Sequence, residues 1–112
     1  MTTFSLLGSG LLGSAIGHRL LERGFALNVW NRNPRRCASL VEDGAQQLNH
    51  PAESLDKASV VLTVLRDGPV TAEVVKSLGP LHGRTVVPMG TMGISESVDL
   101  ADQVQLQGGA YL

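Results

Sequence analysis

Hydrophobic residues in this chain form short continuous runs that alternate with sets spaced three and four positions apart. Short continuous runs predict strands, and the spaced sets predict helices. The predicted strands are Thr3–Leu7, Ala26–Trp30, Ala45–Leu48, Ser59–Leu65, Arg84–Gly90 and one that starts at Ala110. The predicted helices are Leu11–Arg23, a segment that starts at Pro34 and that Gly44 ends, Pro51–Lys57, Pro69–Leu78 and Ser95–Gln107.

Strands and helices therefore alternate along the whole sequence. Strands separated by helices favour a parallel sheet that is covered by helices on both faces. The run from Ser59 to Leu65 is almost continuously apolar and rich in β-branched residues, which is typical of a central parallel strand. We predict an α/β fold built on a doubly wound parallel sheet.

The spacing of apolar residues also predicts which side of a helix faces the sheet. The predicted inward positions are Leu12, Ala15, Ile16 and Leu20 in the first helix, Cys37, Leu40 and Val41 in the second, and Val98, Leu100, Ala101 and Val104 in the last.

A glycine pattern lies where the first strand meets the first helix. In "SLLGSGLLGSAIG", Gly8, Gly10 and Gly13 match the dinucleotide-binding fingerprint of a Rossmann fold. Gly8 would make the tight turn, Gly10 would let the backbone approach a pyrophosphate, and Gly13 would let the helix pack closely on the strand. The N–H groups at the helix start would then bind the phosphates. The alternative is that these glycines only fit a tight strand-to-helix turn.

The end of the second strand predicts the choice of cofactor. Asn31 and Arg32 stand 18 and 19 residues after Gly13, where NAD-binding proteins carry an acid that binds the ribose hydroxyls. A guanidinium suits a 2′-phosphate instead, and Arg35 and Arg36 add positive charge nearby. We predict NADP, with NAD less favoured. The alternative is that the three arginines form a solvated surface.

Composition and charge narrow the classes of protein. The 112 residues are 43% hydrophobic and 17% charged, which is enough for one domain over residues 1–112 with its own core. A net charge of −1 gives no basic surface for nucleic acid or anionic lipid. Cys37 is the single cysteine, and the three histidines lack metal-ligand spacing. With no secretory signal at the N-terminus, the expected location is cytoplasmic.

Four segments together resemble the NADP-binding domain of the β-hydroxyacid dehydrogenase family. That family includes 3-hydroxyisobutyrate and 6-phosphogluconate dehydrogenases, with imine reductases as relatives. The segments are "LLGSGLLGSAIGHRLLERGF", "VWNRNPRRCASLVEDGA", "SVVLTVLRDGPVTAEVV" and "VVPMGTMGISESVDLADQVQLQGGAYL", and they run through the whole chain.

The resemblance implies a set of cofactor contacts around the glycine pattern, the Asn-Arg pair and the ends of the fourth and fifth strands. With Gly13 from the fingerprint, these are Gly8, Gly10, Leu11, Leu12, Asn31, Arg32, Leu65, Arg66, Val70 and Thr91. Thr91 would lie near the nicotinamide, although its hydroxyl could instead satisfy local backbone at a helix start. The chain departs from the family at Leu12, usually methionine, and at Arg66, usually proline. Pro88 and Gly90 replace an acid and a serine.

The resemblance also implies an activity. It points to an NADP-dependent oxidoreductase that transfers hydride to or from a small hydroxyacid or its semialdehyde. The alternatives are an imine reductase-type enzyme and a non-catalytic NADP-binding module. In the family, the catalytic lysine and the homo-oligomer contacts lie in a C-terminal helical domain, which we expect to be absent from residues 1–112. Lys57 and Lys76 fall in the wrong elements, so no catalytic residue is assigned.

Overall fold

Strands and helices alternate in the computed structural model, which describes residues 2–90 and 92–112. The strands are β1 (Thr3–Leu7), β2 (Ala26–Trp30), β3 (Gln46–Gln47), β4 (Val60–Thr63), β5 (Thr85–Pro88) and β6 (Ala110–Tyr111). The helices are α1 (Leu11–Glu22), α2 (Ala38–Glu42), α3 (Ser54–Lys57), α4 (Gly68–Ser77) and α5 (Ile94–Leu106). Short 3₁₀ turns, Pro34–Cys37 and Pro51–Glu53, lead into α2 and α3.

The strands form one parallel sheet in the order β3-β2-β1-β4-β5-β6. Leu6 of β1 lies beside Val29 of β2 and Leu62 of β4, which fixes the register at the centre. This strand order defines a Rossmann-type doubly wound sheet. The predicted fold class is confirmed.

Two hydrophobic clusters cover the two faces of the sheet. Successive residues of a strand point to opposite faces, so Leu6 and Leu7 belong to different clusters. One cluster joins β1, β2 and β4 to α2, and its members are Leu6, Leu27, Val29, Cys37, Leu40, Ala45 and Leu62. The other joins the sheet to α3, α4 and α5, and its members are Leu7, Leu55, Val61, Val74, Val75, Leu78, Leu81, Val86, Leu100 and Val104.

Most predicted boundaries lie within a residue or two of those observed. β1 and β2 have the predicted ends, and β6 starts at Ala110 as expected. The strand predicted over Ser59–Leu65 is shorter, because the chain leaves the sheet after Thr63. Leu65 and Arg66 therefore belong to the turn that leads into α4.

The buried face of α1 differs from the prediction. Leu12 and Ala15 are exposed, whereas Gly13 and Gly17 are buried. A Cβ on Gly13 would overlap the Gly8 carbonyl oxygen, and one on Gly17 would lie 2.7 Å from Leu40 Cδ2. The helix therefore packs on the sheet and on α2 through its glycine edge. Apolar spacing correctly predicted Ile16 and Leu20, which are half-buried against the core, but it did not predict the glycine edge, because glycine carries no hydrophobic signal.

Two other predicted inward residues are exposed. Val41 of α2 is 40% exposed and Val98 of α5 is 55% exposed. In both helices a neighbouring stripe fills the core: Cys37 and Leu40 before and within α2, and Leu100 and Val104 in α5. A helix on a sheet buries a narrow stripe of residues three or four apart, so the next apolar position faces outward.

In the part of the chain that the structure describes, no helix is both long and apolar enough to cross a membrane.

The glycine edge of α1 makes a prediction about stability. We expect Gly17→Ala to lower the free energy of unfolding by about 1–3 kcal/mol, because the new methyl group presses on Leu40 in a packed core. Ala15→Leu is the matched control, since it adds a larger side chain at an exposed position of the same helix and should change stability by less than about 0.5 kcal/mol. Urea unfolding measures both; equal effects would contradict the close packing.

Candidate functional site

A cleft of about 710 Å³ opens at the carboxyl ends of four strands. The chain leaves β1 and β4, which are neighbours, towards helices on opposite faces of the sheet, and ligands bind doubly wound sheets at such a switch point. The lining residues follow β1, β2, β4 and β5. They are Gly10, Leu11, Leu12, Gly13, Trp30, Asn31, Arg32, Asn33, Arg36, Val64, Leu65, Arg66, Val70, Val74, Met89 and Gly90.

A more open depression of about 730 Å³ lies at the opposite, amino-terminal edge of the sheet. Its charged lining residues are Asp56 and Arg84, and the Arg84 guanidinium donates to the carbonyls of Leu55 at 2.6 Å and His82 at 2.7 Å. These two bonds give Arg84 a structural role, because its guanidinium holds the backbone at Leu55 and His82. We therefore assign the site to the carboxyl edge, although its cleft is slightly smaller.

Gly8 lies behind the cleft and shapes its floor. Its φ of +108° is a conformation that favours glycine, and a Cβ there would overlap the carbonyl oxygen of Val64. The Gly8 N–H donates to the Trp30 carbonyl at 2.8 Å. Only a glycine lets the turn after β1 pass so close to the end of β4, as the sequence pattern predicts.

The start of α1 presents main-chain amides to the cleft. Gly10 is the N-cap residue, and among the described residues no side chain caps the helix. The first helical bond runs from the Ser14 N–H to the Gly10 carbonyl at 2.8 Å, so the preceding amides have no partner within the helix. A Cβ on Gly10 would meet nothing within 4 Å. Unblocked amides and the positive end of a helix dipole suit an anion.

Leu11 and Leu12 turn their side chains away from the core. Leu11 is 94% exposed and Leu12 is 51% exposed. Both residues line the cleft, so it is bordered by two leucines that the hydrophobic core does not hold.

Asn31 joins the glycine turn to the loop after β2. Its Oδ1 accepts the Ser9 N–H at 2.9 Å, and its Nδ2 donates to the Asn33 carbonyl at 3.0 Å. Both polar atoms of the side chain are therefore engaged by backbone. Asn31 lines the cleft as predicted, but its amide holds the loops together.

Arg32 and Arg36 supply the positive charge on the side of the cleft that follows β2. Both line it and both are exposed, whereas Arg35 is exposed outside the lining. Within the described ranges, no carboxylate lies within ion-pairing distance of either lining guanidinium. Each can therefore bind an anion without first breaking an ion pair.

The opposite wall is apolar apart from Arg66. Val64, Leu65, Val70 and Val74 form it. The 83% exposed Arg66 donates from Nε to Asp67 Oδ2 at 3.3 Å. An apolar surface of this kind can pack against a flat ring.

Asp67 fixes the start of α4 beside this wall. Its Oδ1 accepts the Val70 N–H at 2.9 Å, and its carbonyl accepts the Thr71 hydroxyl at 2.8 Å. The Val70 N–H, and after it Arg66, lower the pKa of Asp67 below its ordinary value of 3.8, against a partial opposing effect of desolvation. The carboxylate is therefore ionised at neutral pH.

The structure places most of the predicted contacts in one cleft. Of the predicted set, Gly8 lies behind it and Thr91 lies outside the described residues; the others line it. The sequence prediction missed Trp30, Asn33, Val64, Met89 and Gly90, which lie at or shortly after strand ends, and Val74, which lies within α4. The rule that parallel strands end at one edge could have identified those that directly follow a strand.

Comparison with known proteins agrees with this geometry. A family model described as the NAD binding domain of 6-phosphogluconate dehydrogenase matches residues 3–112. Glyoxylate/succinic semialdehyde reductase 1 from Arabidopsis thaliana is 31% identical over 111 residues, which are 95% of this chain and 38% of the reductase. Cytokine-like nuclear factor N-PAC from Homo sapiens is 30% identical over 113 residues, which are 95% of this chain and 20% of N-PAC.

A solved structure has the same fold. The imine reductase from Pseudomonas sp. superposes with a TM-score of 0.92 at 30% identity, covering 98% of this chain and 39% of that protein. The chain thus spans 39% or less of each of these three proteins.

The Asp67 cap gives a pH-dependent prediction. Because its pKa is lowered in the folded chain, ionised Asp67 stabilises the fold above pH 3.8, and this contribution is lost as the pH falls through the lowered pKa. We expect Asp67→Ala to lower the melting temperature at neutral pH and to approach the unmodified chain in acid. Asp67→Asn is the control, since it keeps a capping oxygen that does not titrate. Thermal melts across this pH range measure the effect. If the melting temperatures of Asp67→Ala and the unmodified chain differ by the same amount at every pH, the stabilisation does not come from the ionised carboxylate.

Proposed function

This chain belongs to the family of the NAD binding domain of 6-phosphogluconate dehydrogenase, and we propose that within that family it binds NADP in preference to NAD. The family resemblance drawn from the sequence is thereby confirmed, and the chain is an NAD(P)-binding domain with oxidoreductase relatives. The preference for NADP rests on one observation. Arg32, rather than an acid, lines the cleft where β2 ends.

The diphosphate would bind at the start of α1. The amides of Leu11, Leu12 and Gly13 precede the first helical bond and line the cleft, and Gly10 leaves open space for the phosphates to approach. Gly8 holds this turn against β4. Anions bind such helix starts through both the free N–H groups and the helix dipole.

The 2′-phosphate would bind Arg32, with Arg36 beside it. A guanidinium can donate two parallel hydrogen bonds to a phosphate. A hydrogen bond to a charged group contributes about 1.5–3 kcal/mol, which corresponds to about ten- to a hundredfold in affinity. Asn31 would act in the same subsite by holding the loop that carries Arg32.

The apolar wall would bind a ring of the cofactor. Leu65 and Val70 supply its surface, and the exposed guanidinium of Arg66 lies at its edge. Arg66 replaces the proline that is usual in the family, so its contact would be particular to this chain. The proposed role of Thr91 near the nicotinamide stays a prediction.

For the whole protein we propose an oxidoreductase acting on a small hydroxyacid or its semialdehyde. The relative named as a glyoxylate/succinic semialdehyde reductase supports this class. The bound nicotinamide would supply or accept the hydride, and residues 1–112 would hold and orient the cofactor as one domain. The acid–base group and most substrate contacts would then lie outside this chain, which alone should bind NADP without turnover. The cytoplasmic location and a homo-oligomer stay predictions.

Two alternatives have specific support. The similar imine reductase structure favours reduction of a C=N bond. The similarity to a protein named as a nuclear factor favours a non-catalytic NADP-binding module. The proposed oxidoreductase and both alternatives require NADP to bind in this cleft. A binding experiment therefore tests their common premise first.

We expect NADPH to bind the unmodified chain about ten- to a hundredfold more tightly than NADH, measured by calorimetric titration. Arg32→Asp should remove that preference, because the carboxylate repels the 2′-phosphate and can accept bonds from ribose hydroxyls. Arg23→Asp is the matched control, because it makes the same change of charge at the far end of α1. A helix of this length places that end roughly 18 Å from the start of α1, so the preference for NADPH should be unchanged.

Tighter binding of NADH by the unmodified chain would overturn the cofactor assignment. An equal loss of preference in Arg23→Asp would show that overall charge, rather than Arg32, selects the cofactor.

A further inference from the structure

Ser9 stands between the two glycines of the turn and is almost completely buried, with 3% of its surface exposed. It forms three hydrogen bonds with nitrogen or oxygen partners and a fourth, longer one with a sulfur. Its N–H donates to Asn31 Oδ1 at 2.9 Å, its hydroxyl donates to the Arg36 carbonyl at 3.0 Å, and its carbonyl accepts the Ser14 hydroxyl at 2.8 Å. The Cys37 thiol lies 3.7 Å from the same hydroxyl.

Two of these bonds join separate parts of the cleft. We call residues 8–13 the glycine loop and residues 31–36 the arginine loop; they follow the neighbouring strands β1 and β2. Ser9 reaches the first residue of the arginine loop through Asn31 and the last through the Arg36 carbonyl. Arg32 lies between these two attachment points, so the loop that carries it is attached to Ser9 on both sides of Arg32.

From this geometry we propose that Ser9 is a positioning residue that sets the separation between the amides at the start of α1 and the guanidiniums of Arg32 and Arg36. The proposal rests on the proposed function, in which those two places bind different phosphates of one ligand. Ser9 need not touch that ligand. Its effect would come from keeping both subsites at the spacing that a single molecule requires.

The physical reason is that a ligand with two phosphates binds two subsites at once. When the subsites are already at the right spacing, the second phosphate binds with a high effective concentration. When the loops can move apart, part of that gain is lost in ordering them. A ligand that occupies only one subsite does not depend on the spacing.

Fragments of the cofactor separate these contributions. Adenosine 5′-phosphate offers a phosphate to the glycine loop, adenosine 2′-phosphate offers one to the arginine loop, and adenosine 2′,5′-bisphosphate offers both. We define the linkage gain as the affinity of the bisphosphate divided by that of adenosine 5′-phosphate. Calorimetric titration of the 112-residue chain with all three probes gives this ratio.

We expect Ser9→Ala to reduce the linkage gain by about five- to tenfold, the equivalent of one hydrogen bond of average strength. The affinities for the two monophosphates should change by less than about twofold. Ser14→Ala is the matched control, since it removes a hydroxyl that bonds within α1 and the glycine loop, and it should leave the linkage gain unchanged.

Asn31→Ala provides a second variant that breaks the other bond between the loops, so the proposal can be tested even if Ser9→Ala does not fold. It should also reduce the linkage gain. Equal weakening of all three probes, or an unchanged linkage gain in folded Ser9→Ala or Asn31→Ala, would overturn the positioning role alone. Failure of the unmodified chain to bind the bisphosphate more tightly than adenosine 5′-phosphate would overturn the proposed NADP specificity and the positioning role with it.

Discussion

The close approach of main chain to main chain at the end of β1 is the constraint on which the site depends. Gly8 passes the carbonyl of Val64, and Gly13 lies on the carbonyl of Gly8, at distances that no Cβ would permit. This contact places the start of α1 directly over the carboxyl edge of the sheet. The unblocked amides at the start of α1 therefore face the cleft that the neighbouring loops form.

The topology of the sheet brings the remaining groups to the same place. Because β1 is central and its neighbours are β2 and β4, the loops that follow these strands meet around the start of α1. The loop after β2 brings Arg32 and Arg36, and the turn after β4 brings an apolar wall. Ser9 joins the turn after β1 to the loop after β2, because its N–H donates to Asn31 and its hydroxyl donates to the Arg36 carbonyl. The arginines, the unblocked amides and the apolar wall thus come from three separate parts of the sequence and meet at one edge of the sheet.

Sequence reasoning predicted the fold well, because alternating strands and helices of this kind have few parallel arrangements. It also predicted those cleft residues that belong to a binding pattern and come shortly after a strand, such as Gly10 and Arg32. On the inner face of α1 it predicted Ile16 and Leu20, which pack against the core, but it missed Gly13 and Gly17, because buried glycines carry no hydrophobic signal. It did not find Ser9, because a small polar residue between glycines looks like turn filler until its partners, 22 and 27 residues away, are placed beside it. Partners in a loop network are set by tertiary contacts, which no local pattern encodes.

The substitution Gly10→Val shows whether the unblocked main-chain amides at the start of α1 bind a diphosphate. Since a Cβ at position 10 meets nothing within 4 Å, the valine should leave the fold intact while it fills the space that the phosphates need. We expect a folded variant, with circular dichroism like that of the unmodified chain, that no longer binds NADPH in a calorimetric titration. If a folded Gly10→Val instead binds NADPH as tightly as the unmodified chain, these amides do not bind the diphosphate.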